Sequence, residues 1–380
     1  MPVQLDHLRR RIDAGATVED LGGRQLGAAA AVAPRAFLPI DWPPGLEPEA
    51  VPLDPDPSPD DPLPRADAVV ITWTAAEWRA LADVLTPGVD GPRRWYRYAR
   101  SFESYLPSIR PGAPARFSRR LGAYHPARIG SRTVLGLKSE LHLNQDGVTT
   151  GDGTATLPVA DLLRQVIDEV RPKMVITTGT CGATFPDHEL GDVMVTRGAA
   201  FRLEQEFRNE PFAQAVFRSE QRIRRKHLST ARSLMGAMAD KLVEPDFAPP
   251  TPRYGWTGGL LPGPHNSPDV KVDDGRALPE FHPILSADWF LFGTTTNALH
   301  EQGCGVEMGD AVLGMVCEEL GPSAPRWLVV RNLSNPVIDG RLPRGPMADV
   351  QGLWSGFYYE TYGYWTSVNS SIACWAMLAP

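Results

Sequence analysis

The stretch 157–182 settles the fold class. It reads Leu157-Pro158-Val159-Ala160-Asp161-Leu162-Leu163-Arg164-Gln165-Val166-Ile167-Asp168-Glu169-Val170, then Arg171-Pro172-Lys173, then Met174-Val175-Ile176-Thr177-Thr178-Gly179-Thr180-Cys181-Gly182. The first half repeats apolar residues at helical spacing. It stops at Arg171-Pro172, because proline drives the residue before it out of the helical region. The second half is a short β-branched run fit for a buried strand, and it leads straight into a glycine-rich segment.

The same alternation continues on both sides. Upstream, Ala68-Val69-Val70-Ile71-Thr72 predicts a buried strand, 75–85 a helix halted by Thr86-Pro87-Gly88, and 133–137 another strand. Downstream, 193–196 and 327–331 predict strands, 305–320 a helix and 357–377 an aromatic-rich closing helix. Strand–helix–strand alternation of this kind predicts an α/β layered fold. There is no internal repeat.

Two regions break the rhythm. Residues 1–65 combine an amphipathic helical arm (Leu5, Leu8, Ile12) with a connector crowded with proline, which forms neither helix nor central strand. The main domain is then 66–380, with an insertion at about 202–285. The insertion holds Arg218, Arg222, Arg224, Arg225 and Lys226, read as a basic helical stretch, and a Pro/Gly-rich loop at 248–265. That basic run suits either the phosphates of a nucleotide or a solvated helix face balanced by Glu204, Glu206, Glu210 and Glu220.

Composition narrows the function classes. Thirty-eight basic against 45 acidic residues give a net charge of −7, which offers no nucleic-acid or anionic-membrane surface. Four cysteines without a CxxC pair predict neither a disulfide framework nor a zinc site, and fit reduced thiols in the cytoplasm. No signal peptide is read at the start, and no apolar run approaches the roughly 20 residues of a membrane span. No cofactor or metal is expected.

Five segments carry the chemistry: Val70–Leu81 with Glu77; Thr178–Ala183 followed by Leu190-Gly191-Asp192-Val193; Ser286-Ala287-Asp288-Trp289-Phe290-Leu291; Cys304-Gly305-Val306-Glu307-Met308-Gly309-Asp310; and Val330-Arg331-Asn332-Leu333-Ser334-Asn335. Glu77 stands where a strand turns into a helix. It suits either a proton acceptor for water or an exposed first-turn residue favoured by the helix dipole. Gly179 and Gly182 let backbone approach a ligand, and Thr180 offers a hydroxyl. Asp192 reads as structural. The run Trp289-Phe290-Leu291 reads equally as core strand or as a stacking platform for a base.

In this order the segments resemble the methylthioadenosine/S-adenosylhomocysteine nucleosidases of the nucleoside phosphorylase/nucleosidase superfamily. The likeness covers 67–379, leaving out the insertion. It implies a three-layer α/β fold with a central mixed sheet flanked by helices. It further implies N-ribosyl hydrolysis of a purine nucleoside or nucleotide, and a homo-oligomer. By the resemblance Glu77 positions the attacking water, Phe290 stacks on the base and Leu291 presents backbone to its edge. Glu307 matches the family's first glutamate and Met308 packs under the ribose. Thr180, Gly182 and Ser334 line the substrate.

Two positions depart from the family. Where it places a ribose-binding glutamate this chain has Gly309, with Asp310 next in line, so the sugar contact is either altered or absent. Where it places the aspartate that protonates N7 this chain has Asn335, which donates a hydrogen bond but delivers no proton. Asn335 is what phosphorylases of 6-oxopurines carry, and Asp339 is the alternative acid. The glycine-rich phosphate turn of the phosphorylases is missing near Glu77, which favours water as nucleophile. Phosphorolysis, or a binding protein that has lost its chemistry, are the rival readings.

Overall fold

The computed structural model describes residues 38, 40–237, 267–273, 281–289, 291, 293–337 and 350–380. The N-terminal arm, the 248–265 loop, Phe290 and Asp339 lie outside the described residues.

Four parallel strands form the centre, side by side as β5 (Arg132–Ser139), β2 (Ala68–Thr72), β6 (Met174–Gly182) and β13 (Arg326–Asn335). Successive side chains of β2 point to opposite faces, and both faces are buried. Val69 and Ile71 pack with α2 (Pro158–Val170) and α4 (Asp310–Leu320). Ala68 and Val70 pack with α1 (Ala75–Leu85), α3 (Leu228–Ala237) and α5 (Val350–Leu378). Helices on both faces of one sheet make three layers.

The sheet is mixed at its flanks. On one side β4 (Gly122–Ile129) pairs antiparallel with β5, and β1 (Pro48–Ala50) and β3 (Tyr96–Tyr98) pair antiparallel with β4. On the other, β12 (Gly305–Glu307), β11 (Ile284–Ala287), β8 (Gly198–Arg202) and β9 (Val216–Arg218) follow one another. Strand β7 (Val193–Thr196) runs antiparallel to β13 and carries β10 (Val270–Val272). The proline-rich connector thus supplies an edge strand, the place where a residue without an N–H is tolerated. Its Trp42 rests on Trp375 of α5 at 4.9 Å.

Several local expectations are corrected. The glycine-rich segment Thr178–Gly182 does not follow the strand; it is the second half of β6, held in register by β13. The 305–320 helix is a three-residue strand followed by α4, which starts at Asp310. The basic run is not helical: β9 ends at Arg218 and 219–225 carry no helix. Its Arg224, Lys226 and His227 reach the backbone oxygens of Ala379 and Pro380. Among the described residues no helix is long and apolar enough to cross a membrane, and no cluster of His, Cys, Asp and Glu could hold a metal ion. All four cysteines are free and buried.

Candidate active site

Strand β2 accompanies β6 only as far as the pair Ile71–Thr177. Beyond it the chain turns into α1, and the third helical residue, Glu77, returns its carboxylate to the end of the sheet. One oxygen accepts from Thr72 Oγ1 (2.9 Å), Trp73 N (3.2 Å) and Thr74 N (2.9 Å), closing the turn as half of a capping box does. The other accepts both Thr180 N and Thr180 Oγ1 at 2.8 Å, stitching the turn to β6. Gly179 makes this possible. Its φ of +144° is glycine territory, and a Cβ there would stand 2.4 Å from the Glu77 carboxyl carbon.

Glu77 is 2% exposed, so the exposed first-turn reading is overturned. Burial pushes its carboxyl up, but the Arg331 charge and the amides of Thr74 and Thr180 outweigh it and hold the group below the usual range. The Thr180 hydroxyl donates to Glu77 and so positions that carboxylate.

Arg331, buried in β13, gathers three carboxylates. Asp310 grips it in two parallel bonds, Nε–Oδ2 at 2.8 Å and Nη2–Oδ1 at 2.6 Å. Glu307 lies at 3.2 Å and Glu77 at 3.9 Å. The Trp73 ring lies 5.0 Å from the guanidinium carbon, and its indole N–H is fixed to Leu141 O. Burial opposes the arginine charge, yet Asp310 and Glu307 more than compensate, and it stays protonated. Three carboxylates against one cation leave the cluster anionic. Glu307 relieves part of this: burial and the neighbouring Asp310 raise its carboxyl to about 7.

This geometry corrects the expectation for Asp310. As the first residue of α4 it is fully buried and points at Arg331, so it is no substitute for the missing sugar carboxylate. Glu307 is likewise turned inward, accepting from Ser286 Oγ and from Asp310 N. Gly309 has room: a Cβ there would meet Trp73 and Glu307 only at 3.8–3.9 Å. The space beside Gly309 is bordered by the Trp73 indole.

At the far end of the glycine-rich stretch, Gly182 does for Asn335 what Gly179 does for Glu77. A Cβ at Gly182 would stand 2.8 Å from Asn335 Nδ2. Asn335 is 4% exposed; its Oδ1 accepts from Ser334 Oγ at 3.1 Å, while Nδ2 has no partner among the described residues. Ser334 Oγ also reaches Cys181 O at 3.4 Å. Leu291 packs with Leu285, Ala287 and Val306 beside this end. Asp288 accepts the amides of Glu204, Gln205 and Phe207, which makes it an anchor for that loop. Asp192 ties Glu189 and Asp269 together in the same way.

The structure therefore brings Glu77, Thr180, Gly182, Glu307, Asp310, Ser334 and Asn335 into one constellation at the carboxyl ends of β2, β6 and β13. Open α/β sheets place their ligands there. Met308 sits half-buried on its rim with Asn144 Nδ2 at 3.8 Å from its sulfur. Sequence reasoning missed Trp73, His142 and Asn144. His142 and Asn144 follow the carboxyl end of β5, next to β2, and that strand-end position was the available signal. Burial pushes the His142 imidazole down to about 4, with Lys138 adding to the effect, so it is neutral at pH 7.

The chain is similar to solved nucleosidases. Futalosine hydrolase of Helicobacter pylori strain 26695 matches with 11% identity and a TM-score of 0.43, covering 82% of this chain and 97% of that one. A 5'-methylthioadenosine/S-adenosylhomocysteine nucleosidase from Helicobacter pylori matches with 12% identity and a TM-score of 0.43, over 82% and 97%. A putative nucleosidase of that kind from Borrelia burgdorferi B31, bound to adenine, matches with 12% identity and a TM-score of 0.45, over 82% and 98%. No protein-family model and no curated protein matches the chain. At such identities and TM-scores the roles of residues rest on this chain's own side chains.

Proposed function

We propose that the protein is an N-ribosyl hydrolase that releases a free purine base from a nucleoside or nucleotide, with water as nucleophile and a 6-oxopurine as the favoured base. The observation that carries this reading is the Asn335 amide. It is buried, its N–H is unpartnered among the described residues, and it shares the end of β6 with an ionised, buried Glu77. An amide donor suits an acceptor on the base that gains negative charge as the bond to the sugar breaks. It delivers no proton, so the base must leave as a stabilised anion, which a 6-oxopurine does more readily than adenine.

The sugar left behind becomes an oxocarbenium-like cation, and the anionic cluster around Arg331 opposes that charge with its own. Because Glu77 is held below the ordinary carboxyl range, it is a weak base. Its part is to orient water and to stabilise positive charge; after attack has begun, the water proton passes to the departed base anion, which is released as the neutral base. Phe290 as base platform and Met308 as sugar floor are parts of the proposal; Asp339 as acid is its alternative, in which the base leaves protonated.

A panel of purine nucleosides and their 5'-phosphates, incubated with and without inorganic phosphate, tests the reading. Free base should appear without phosphate, and inosine or guanosine should be cleaved faster than adenosine. Base release only with phosphate would make the protein a phosphorylase. No release from any member, with binding retained, would leave a binding protein.

A further inference from the structure

Glu307 and Asp310, which flank Met308 and Gly309 in the chain, are committed to protein donors. Glu307 accepts from Ser286, the Asp310 amide and Arg331, and Asp310 accepts from Arg331 twice. Gly309 brings no side chain. A sugar lying on Met308 still presents hydroxyl donors, and each needs an acceptor on leaving water.

Asn144 supplies one. Its Oδ1 is buried without a partner among the described residues, and its Nδ2 contacts the Met308 sulfur at 3.8 Å. The side chain stands on a single helical turn, Leu143–Asp146, that is clamped from several sides. Arg110 Nη2 donates to Asn144 O at 3.1 Å, and Arg110 N donates to Asp146 O at 2.8 Å. The guanidinium is itself fixed by Glu206, with Nη1–Oε1 at 2.9 Å. Asp146 Oδ2 in turn accepts the His142 amide at 2.6 Å, and Trp73 holds Leu141 O at 3.0 Å. A polar side chain on so constrained a turn, with capacity to spare, is built as a recognition element.

We infer that Asn144 is a specificity-determining residue: its amide oxygen accepts a hydrogen bond from a hydroxyl of the sugar that lies on Met308, replacing the carboxylate missing at Gly309. The inference rests on the nucleosidase reading and names which group of that site reads the sugar.

The test compares inosine with its 2'-, 3'- and 5'-deoxy forms on the wild-type protein and on Asn144→Leu and Asn144→Asp. In the wild type one deoxy form should lose about ten-fold in kcat/KM, the scale of one neutral hydrogen bond. Asn144→Leu should erase that penalty by lowering inosine to the level of the deoxy form, while Asn144→Asp, which keeps an acceptor, should preserve it. If Asn144→Leu does not fold, judged by its melting curve, Asn144→Ala supplies the same comparison. A penalty that persists unchanged in Asn144→Leu or Asn144→Ala overturns the inference alone, as does a wild type indifferent to all three hydroxyls. A wild type that neither binds nor cleaves inosine removes the inosine-cleaving site and the inference with it.

Discussion

Glu77 and Asn335 answer to different substitutions. Glu77→Gln keeps the shape but presents an –NH2 to donors that need an acceptor. Stability should fall by about 1–3 kcal/mol and kcat by about 10²–10⁴-fold, read by urea unfolding and by base release. Asn335→Asp should do the reverse for one substrate, because it restores a group able to protonate N7. Adenosine cleavage should rise by about 10²-fold or more. Arg331→Met leaves Glu307 and Asp310 buried without their cation and should cost about 3–5 kcal/mol in denaturant unfolding. The positions of all these residues were legible in the motif order, whereas their duties were not. Glu77 could be read as solvated because sequence does not show that β2 ends short of Thr180. Asp310 could be placed near a sugar because sequence does not show that Arg331 takes both its oxygens.

At the scale of elements, β6 organises the site by having two glycines three residues apart. Gly179→Ala would press a methyl group on the Glu77 carboxyl and force a positive φ on alanine. It should lower stability by about 1–3 kcal/mol and activity together, measured by melting curves and kcat. Strands β2, β6 and β7 were legible because unbroken β-branched runs have no other use in a short buried segment. Strand β4 was not, since Pro126 and His125 interrupt its pattern and pairing with its neighbours holds it extended. The glycines within β6 were not legible as strand because close approach by Glu77 and Asn335, the reason for them, comes from other parts of the chain.

For the whole molecule, helices on both faces of a sheet follow from the alternation of strand and helix. The three-residue strands β1, β9, β10 and β12 are too short to have a period, so the breadth of the mixed sheet is a tertiary fact. Its burial of acidic groups sets the pH response. Glu307 and Asp146 are both raised to about 7, chiefly by burial. A raised folded-state carboxyl binds a proton that the unfolded chain has released. Its contribution is complete below about pH 4 and is lost as pH rises through about 7. The melting temperature should therefore decline across that window, and Asp146→Asn should flatten the decline. Glu77, held low, acts oppositely, and its contribution is lost only as pH falls below the ordinary carboxyl range.

The central claim is that water, oriented by Glu77, attacks the sugar while Asn335 holds the departing base. It is tested most directly by cleaving inosine in H2(18)O without phosphate and weighing the products. The account predicts one heavy oxygen in the released sugar, none in hypoxanthine, and loss of the reaction in Glu77→Gln. Unlabelled sugar, a strict need for phosphate, or full activity in Glu77→Gln would contradict it.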